Sequence, residues 1–455
     1  MGPDYERPDL YQVSAFRGGE EVDESIGWKV GEPSDDLPKG EWWTVFNDPA
    51  LNQLQSRAML NNPSIGAALA RIDSARSQAR QARAAFYPSL TASPAYERER
   101  RSEDINGGLF GRNPSNDIRI PFDLSYEIDL WGKVRRSVEA AGEEAKASVA
   151  DYENLLLSLQ SELAQNYYTY LALNAETDIL KRTLGSRAER KQLIAQRAQA
   201  GESTDLDVLR AESDLQTTAA ELETILLQRA QLQNAIATLV GEPASTFSLP
   251  PLARSVPNPP IIPVGLPSSL LERRPDVAAA ERRLAALNAR IGVAKASFFP
   301  SIKLTGQAGV AADDIASLFT AGARTWSFGP SITVPVFQLG RLTSELSSTK
   351  SEYQAGVFEY RGQILVAFQE VEDSLLAVES LKRRLEHEQA AANAGNEAER
   401  LSQLRYEAGI VNYLEALDAQ RTALELERTT VRTRGQKMIT VVTLIEALGG
   451  GWSLQ

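Results

Sequence analysis

The chain has 455 residues, 43% of them hydrophobic, enough to bury a large core and ordinarily to form two or three domains. With no cysteine and one histidine, disulfide scaffolds are excluded, and most zinc ligand sets, thiol nucleophiles and neutral-pH proton carriers go with them. Sixty acidic against 48 basic residues leave a net charge of −12, the wrong sign for wrapping nucleic acid or collecting acidic substrates.

The opening MGPDYERP has no charged stretch leading into an apolar one, so no export signal is legible there. No window approaches 18 consecutive apolar residues, and the mean hydropathy is −0.28, which rules out a helical membrane span. A membrane barrel stays open, because its strands alternate apolar and polar residues and leave average hydropathy unremarkable. Residues 1–62 read as an irregular segment and an equatorial region, with Trp42 and Trp43 packing a collar around helices.

Beyond residue 62 the chain is two copies of one plan. A shift of 212 lays Pro63–Leu90 on Pro275–Ile302 with nine of 28 positions identical, among them Phe86, Pro88 and Ser89 on Phe298, Pro300 and Ser301. A shift of 208 lays Ala200-Gly201 on Ala408-Gly409. The first copy occupies 63–242 and the second 273–449. Eight of the 22 prolines crowd between Pro243 and Pro267, too stiff and donor-poor for helix or central strand, so 243–272 reads as a linker and 450–455 as a tail.

Each copy begins with a helix and continues into two alternating stretches, near 88–101 and 117–131 in the first copy and near 300–312 and 325–337 in the second. The clearest sets Ile118, Ile120, Phe122, Leu124, Tyr126, Ile128 and Leu130 against Arg119, Pro121, Asp123, Ser125, Glu127 and Asp129, a period of two. Proline is then absent for 121 residues after Pro121 and for 120 after Pro335. Those stretches predict helical hairpins over 133–240 and 341–448. The outgoing arm of the first, Lys133 to Ala200, would run roughly 100 Å. The turns fall at Gly201–Thr204 and Gly409–Asn412. Hairpins of that length predict an elongated coiled assembly rather than a globule.

Alternation alone fits a soluble, half-buried sheet. Four strands are too few for a sandwich, however, and helices of this length do not simply cover a sheet face. An open sheet in lipid leaves edge N–H and C=O groups unpaired, so its edges must join other chains. Twelve strands from three chains would enclose a water-filled channel, whereas eight would be filled by side chains. Trp131 and Trp326, at strand ends, suit membrane-interface anchoring.

Taken together, Gly2-Pro3-Asp4-Tyr5 with Pro8, Trp42-Trp43 through Phe46, Asp48-Pro49, Arg273-Arg274-Pro275-Asp276, Phe298-Phe299-Pro300-Ser301, Leu417-Asp418-Ala419-Gln420-Arg421 and Ala447-Leu448-Gly449-Gly450-Gly451-Trp452 resemble a TolC-like outer-membrane factor. The similarity is to the lipoprotein branch serving resistance-nodulation-division (RND) drug-efflux systems, and it spans nearly the whole chain. It implies a homotrimer with a twelve-stranded β-barrel in the outer membrane and a long α-helical barrel in the periplasm. The implied partners are a periplasmic membrane-fusion adaptor, an inner-membrane RND transporter and outer-membrane lipid. It also implies an acylated cysteine just upstream of Gly2, which this sequence does not contain.

The resemblance further places a closed periplasmic gate at the second turn, with Leu414, Glu415, Asp418 and Arg421 facing a threefold axis. Spacing independently sets Leu414, Asp418 and Arg421 at i, i+4 and i+7, on one helical stripe. A plainer reading is that Glu415 and Asp418 only favour the positive end of a helix starting near Asn412. At the first turn the resemblance pairs Asp207 with Tyr406 as a gate latch, with Val411 where the family carries a basic residue.

No phosphate loop, nucleophile elbow or metal-spaced cluster is legible, so no catalysis, metal or other cofactor is expected. The expected function is a passive outer-membrane exit duct for drugs and other small solutes. Two other readings stay open: a structural or adhesive trimeric coiled coil without transport, and a channel for metal ions or secreted polypeptides.

Overall fold

A computed structural model of the chain describes residues 1–9, 40–100, 114–250, 256–260 and 273–450. Expectations placed on residues 10–39, on the loop 101–113, on most of the proline-rich linker and on the Gly451-Trp452 end lie outside the described residues.

The first difference from expectation comes before residue 62, where the sequence reads as irregular. Trp42–Phe46 form a 3-10 helix and Pro49–Asn61 an α-helix, α1. The cause is local. Asp48 Oδ1 accepts from the backbone N–H groups of Ala50 at 3.0 Å and Leu51 at 3.3 Å, and Pro49 presets the first helical φ. Leu51, Leu54 and Ala58 then line a buried face.

Helix α2 spans Pro63–Ala84. Strands β1 (Ser89–Ala92), β2 (Ala95–Glu99) and β3 (Ser115–Ile128) follow, then the helices α3 (Lys133–Gln199) and α4 (Asp205–Val240). The second copy runs α5 (Pro275–Ala296), β4 (Ser301–Ala312), β5 (Arg324–Thr333), α6 (Arg341–Glu407) and α7 (Tyr413–Ala447). The opening helices have 22 residues each and the outgoing arms 67 each, while the returning arms have 36 and 35.

By internal contacts the described chain divides into two compact units. The first comprises residues 1–9, the described parts of 71–149, and 279–361, and contains the described sheet. That sheet is antiparallel, in the order β1/β2, β3, β4, β5. The strand expected near 88–101 is broken in two, because Pro94 has no N–H to give the ladder. Both pieces still follow one edge of β3, and Ser93 N–H spans the gap to the Pro121 carbonyl at 3.2 Å. The strand expected near 325–337 stops at Thr333, two residues short of Pro335.

Register sorts the side chains cleanly. Leu124 lies opposite Gly306 and Gly306 opposite Phe328; Ile128, Ile302 and Ile332 form another row, and Phe122, Ala308 and Trp326 a third. This apolar face is bare in the single chain: Trp326 is 83% exposed and Phe328 66%. The other face carries Asp123, Glu127, Lys303, Thr305, Gln307, Ser327 and Ser331, with Gln307 Nε2 donating to Asp123 at 2.8 Å. Gly309 faces Pro121, and a Cβ there would stand 2.9 Å from the Pro121 Cα and nearer still to the Ile120 carbonyl.

In the same unit the N-terminal residues are strapped onto α5. Arg7 forms a two-pronged pair with Glu281 at 2.9 and 2.6 Å, Asn288 Nδ2 donates to the Pro3 carbonyl at 3.1 Å, and Gly2 lies directly on Gly292.

The second unit takes in the described parts of 10–70, 150–278 and 362–455. Its core gathers Trp42, Leu51, Leu54, Leu163, Tyr167, Tyr168, Ile236 and Val442, all essentially without exposure. The Trp42 indole N–H donates to Gln160 Oε1 at 3.0 Å, which satisfies its one polar atom inside that core.

A candidate gate at the helix turns

The two hairpin turns are built alike. At the first, Gly201 takes φ +78°, its N–H reaches the Ala198 carbonyl at 3.0 Å, and Glu202 N–H reaches the Arg197 carbonyl at 2.8 Å. At the second, Gly409 takes φ +74°, with Gly409 N–H on Tyr406 at 3.0 Å and Ile410 N–H on Arg405 at 2.9 Å. This paired closure satisfies the last helix carbonyls and needs a residue free to adopt positive φ. Each returning helix is then capped: Thr204 Oγ1 accepts from Asp207 N–H at 3.2 Å, and Asn412 Oδ1 from Glu415 N–H at 3.0 Å.

Behind the turns, Ile194 of α3, Ala211 of α4 and Tyr413 and Leu417 of α7 form a small buried cluster. That packing fixes which face of α7 is left outward. Tyr413, Ala416, Leu417 and Gln420 are buried, whereas Leu414, Glu415, Asp418 and Arg421 are exposed. The structure thus groups the four expected gate residues on one outward face. Glu415 lies 3.8 Å from Arg405, and Asp418 has no side-chain partner among the described residues.

Arg421 behaves differently. Its Nε donates to Asp214 Oδ1 at 2.8 Å, and Asp214 is a buried residue of α4. Asp214 Oδ2 in turn lies 2.8 Å from Nε of Arg187 on α3, and Arg187 also donates to the Asp214 carbonyl at 3.1 Å and to Thr218 Oγ1. Burial holds Arg187 below the usual arginine range against the pull of Asp214, and neighbouring Arg421 adds to that depression. Sequence reasoning missed Asp214 and Arg187, although a signal existed. Ala211, Asp214, Thr218, Leu222 and Ile225 are the buried stripe of α4, so Asp214 is a charge at a core position.

The expected latch residues are not brought together within one chain. The Asp207 carboxylate accepts from Thr204 Oγ1 at 2.7 Å and from Arg210 Nη1 at 3.3 Å. The Tyr406 ring packs 5.8 Å from Tyr413 and lies under the Arg197 guanidinium at 5.5 Å. Of the expected anchors, Trp131 stacks on Phe299 at 4.9 Å and donates to the Pro300 carbonyl at 2.7 Å. Trp326 stands open on the apolar face, two residues into β5. Among the described residues there is no metal-holding cluster of His, Cys, Asp and Glu, and no helix long and apolar enough to cross a membrane.

The sequence profile described as outer membrane efflux protein matches residues 54–242 and again residues 266–450, once in each copy. The chain belongs to this family. The outer membrane protein OprJ of Pseudomonas aeruginosa is 36% identical over 99% of this chain and 93% of its own length. The solved outer-membrane channel OprN superposes with a TM-score of 0.88 at 30% identity, covering 99% of both chains. The open state of the MtrE outer membrane channel of Neisseria gonorrhoeae gives 0.84 at 30% identity, over 99% of this chain and 98% of that one. The resemblance to efflux outer-membrane factors read from the sequence is borne out. This outer membrane efflux protein is an exit channel located in the outer membrane and extending into the periplasm.

Proposed function

We propose that this outer membrane efflux protein works as a homotrimer whose three sheets close into one barrel of twelve strands, β1 and β2 of each chain counting as one interrupted row. The sheet itself carries the reading: two edges unpaired among the described residues, an apolar face bare to its surroundings and a polar face opposite. Closure satisfies both edges at once, turns Phe122, Phe328 and Ile332 toward lipid, and lines a water-filled lumen with Asp123, Gln307 and Ser331. Trp131 and Trp326, near opposite ends of the strands, would anchor the two interfaces.

The duct is passive and performs no chemistry. Drugs and other small solutes pass through it from a periplasmic adaptor and an energised inner-membrane RND transporter. Leu414, Glu415, Asp418 and Arg421 of three chains form the periplasmic gate, where the carboxylates favour cations over anions. Asp207 and Tyr406 form the latch between neighbouring chains. The mass of the detergent-solubilised particle tests the assembly. Three chains of 49.8 kDa are expected, and a stable monomer would contradict it.

A further inference from the structure

Arg421 has Asp418 and Glu425 at helix spacing on α7 and Asp214 on α4, and it pairs with Asp214. Asp418 is three residues earlier on α7, a spacing at which helix side chains meet and ion pairs form. Asp214, on another helix, takes Arg421 Nε at 2.8 Å instead. The preference has a physical cause. Asp214 is 3% exposed, so its field is little screened, whereas Asp418 faces solvent, where counter-ions and water dilute any pairing.

The neighbourhood of Asp214 makes the arrangement one-sided. Arg187 and Arg421 bring two positive charges to the single charge of Asp214, and Arg187 is buried with its position fixed by the Asp214 carbonyl and Thr218. Were Asp214 neutral, the two guanidinium groups would face each other with only the more distant carboxylates of Glu221 and Glu399 to offset them. Arg421, whose side chain is 53% exposed, is the one free to leave; of the acids at helix spacing on α7, Glu425 already lies 3.6 Å from Arg428 and 3.9 Å from Arg432, which leaves Asp418.

Resting on the gate reading above, we infer that Asp214 is a positioning residue for the entrance. It draws Arg421 sideways into the helix packing and so leaves the Asp418 ring un-neutralised toward the pore. The acidic character of the gate is then set from a buried position on α4, outside the stripe that lines it.

The test is the reversal potential of reconstituted channels in a potassium chloride gradient. Asp214→Asn is expected to lower the potassium-to-chloride permeability ratio roughly twofold or more, because Arg421 swings onto Asp418. The double variant Asp214→Asn/Arg421→Gln is expected to recover at least the original ratio, since no guanidinium is left to neutralise the ring. A purely structural role for Asp214 would not produce that recovery. An unchanged ratio in Asp214→Asn, or no recovery in the double variant, overturns the inference. Should Asp214→Asn not assemble, Arg421→Gln decides, since it keeps the Arg187–Asp214 pair. A ratio at or above the original supports the inference, and a lower one overturns it. Asp418→Asn separates the two levels. If it leaves the ratio unchanged, the gate reading fails and the inference falls with it; if it lowers the ratio while Asp214→Asn does not, the inference alone fails.

Discussion

Tyr167 donates a 2.8 Å hydrogen bond to the Asp48 carboxylate, whereas Tyr168, the next residue and equally buried, has no hydrogen-bond partner for its hydroxyl among the described residues. Burial and the nearby Asp48 push both phenols above their ordinary range, so both remain protonated at any working pH. Only one of the two hydroxyls holds the structure together. Tyr167→Phe should therefore cost about 1.5–3 kcal/mol, the value of a bond to a charged acceptor, and Tyr168→Phe should be neutral or stabilising. Denaturant melts of the two variants against the parent check this; equal losses in both would contradict it.

Gly309 is predicted to be irreplaceable at the centre of the sheet. The Cβ of Gly309→Ala would press into the Ile120 carbonyl and the Pro121 Cα, both backbone atoms of the paired strand, which cannot swing away. Gly329, with open space around its would-be Cβ, makes the control. The yield of folded, detergent-stable oligomer should fall sharply for Gly309→Ala and hold for Gly329→Ala.

Glu446 gives a pH dependence of unusual sign. Burial first, and then the charge of Glu370, push its carboxyl above the ordinary glutamate range, despite the Ser158 hydroxyl donating at 2.9 Å and the nearby Arg274. The folded chain then binds this proton more tightly than the unfolded chain. Its contribution to stability rises as pH falls from the raised folded value toward the unfolded value of about 4.3. Asp276 acts oppositely: burial pushes it up, but Arg274 at 2.6 and 3.0 Å, the Val277 N–H and Gln363 bring it below the usual range. Its stabilisation is lost as pH falls through that lowered value. Glu446→Gln should be more stable than the parent near neutral pH and should gain less on mild acidification, as read by thermal midpoints across pH 5–8. A parallel profile would contradict the assignment.

The latch predicts a functional rather than a structural effect. Asp207→Ala or Tyr406→Phe should raise the conductance of the reconstituted protein, because the proposed bond would bias closed against open forms; Tyr406→Phe should do so without lowering the melting temperature, whereas Asp207→Ala also loses the bonds from Thr204 and Arg210 at the start of α4. Unchanged conductance in both variants would remove the latch.

The long helices and their turns were legible because each depends on local chemistry: no proline over some 120 residues, helix-forming composition, and Gly201 and Gly409 where a positive φ is needed. The sheet was legible through its period of two, down to which residues share a face. The break at Pro94 required taking one residue's missing N–H as seriously as the alternation around it. The helix after Asp48 was hidden by its brevity, although the capping Asp48-Pro49 pair was in view. Asp214 and Arg187 are harder, because 27 positions separate them and their partner Arg421 lies 207 from Asp214. The Arg7–Glu281 strap spans 274 positions. Helical periodicity can flag a charge at a core position, but its counter-charge emerges only when the helices are packed.

In the proposed trimer, the wet and greasy faces of this sheet belong to a sealed, water-filled duct. Planar-bilayer recording of the purified protein tests it most directly. Stepwise, uniform conductance increments on insertion of the detergent-solubilised protein are predicted, whereas a particle that stays soluble without detergent and never conducts would contradict a duct.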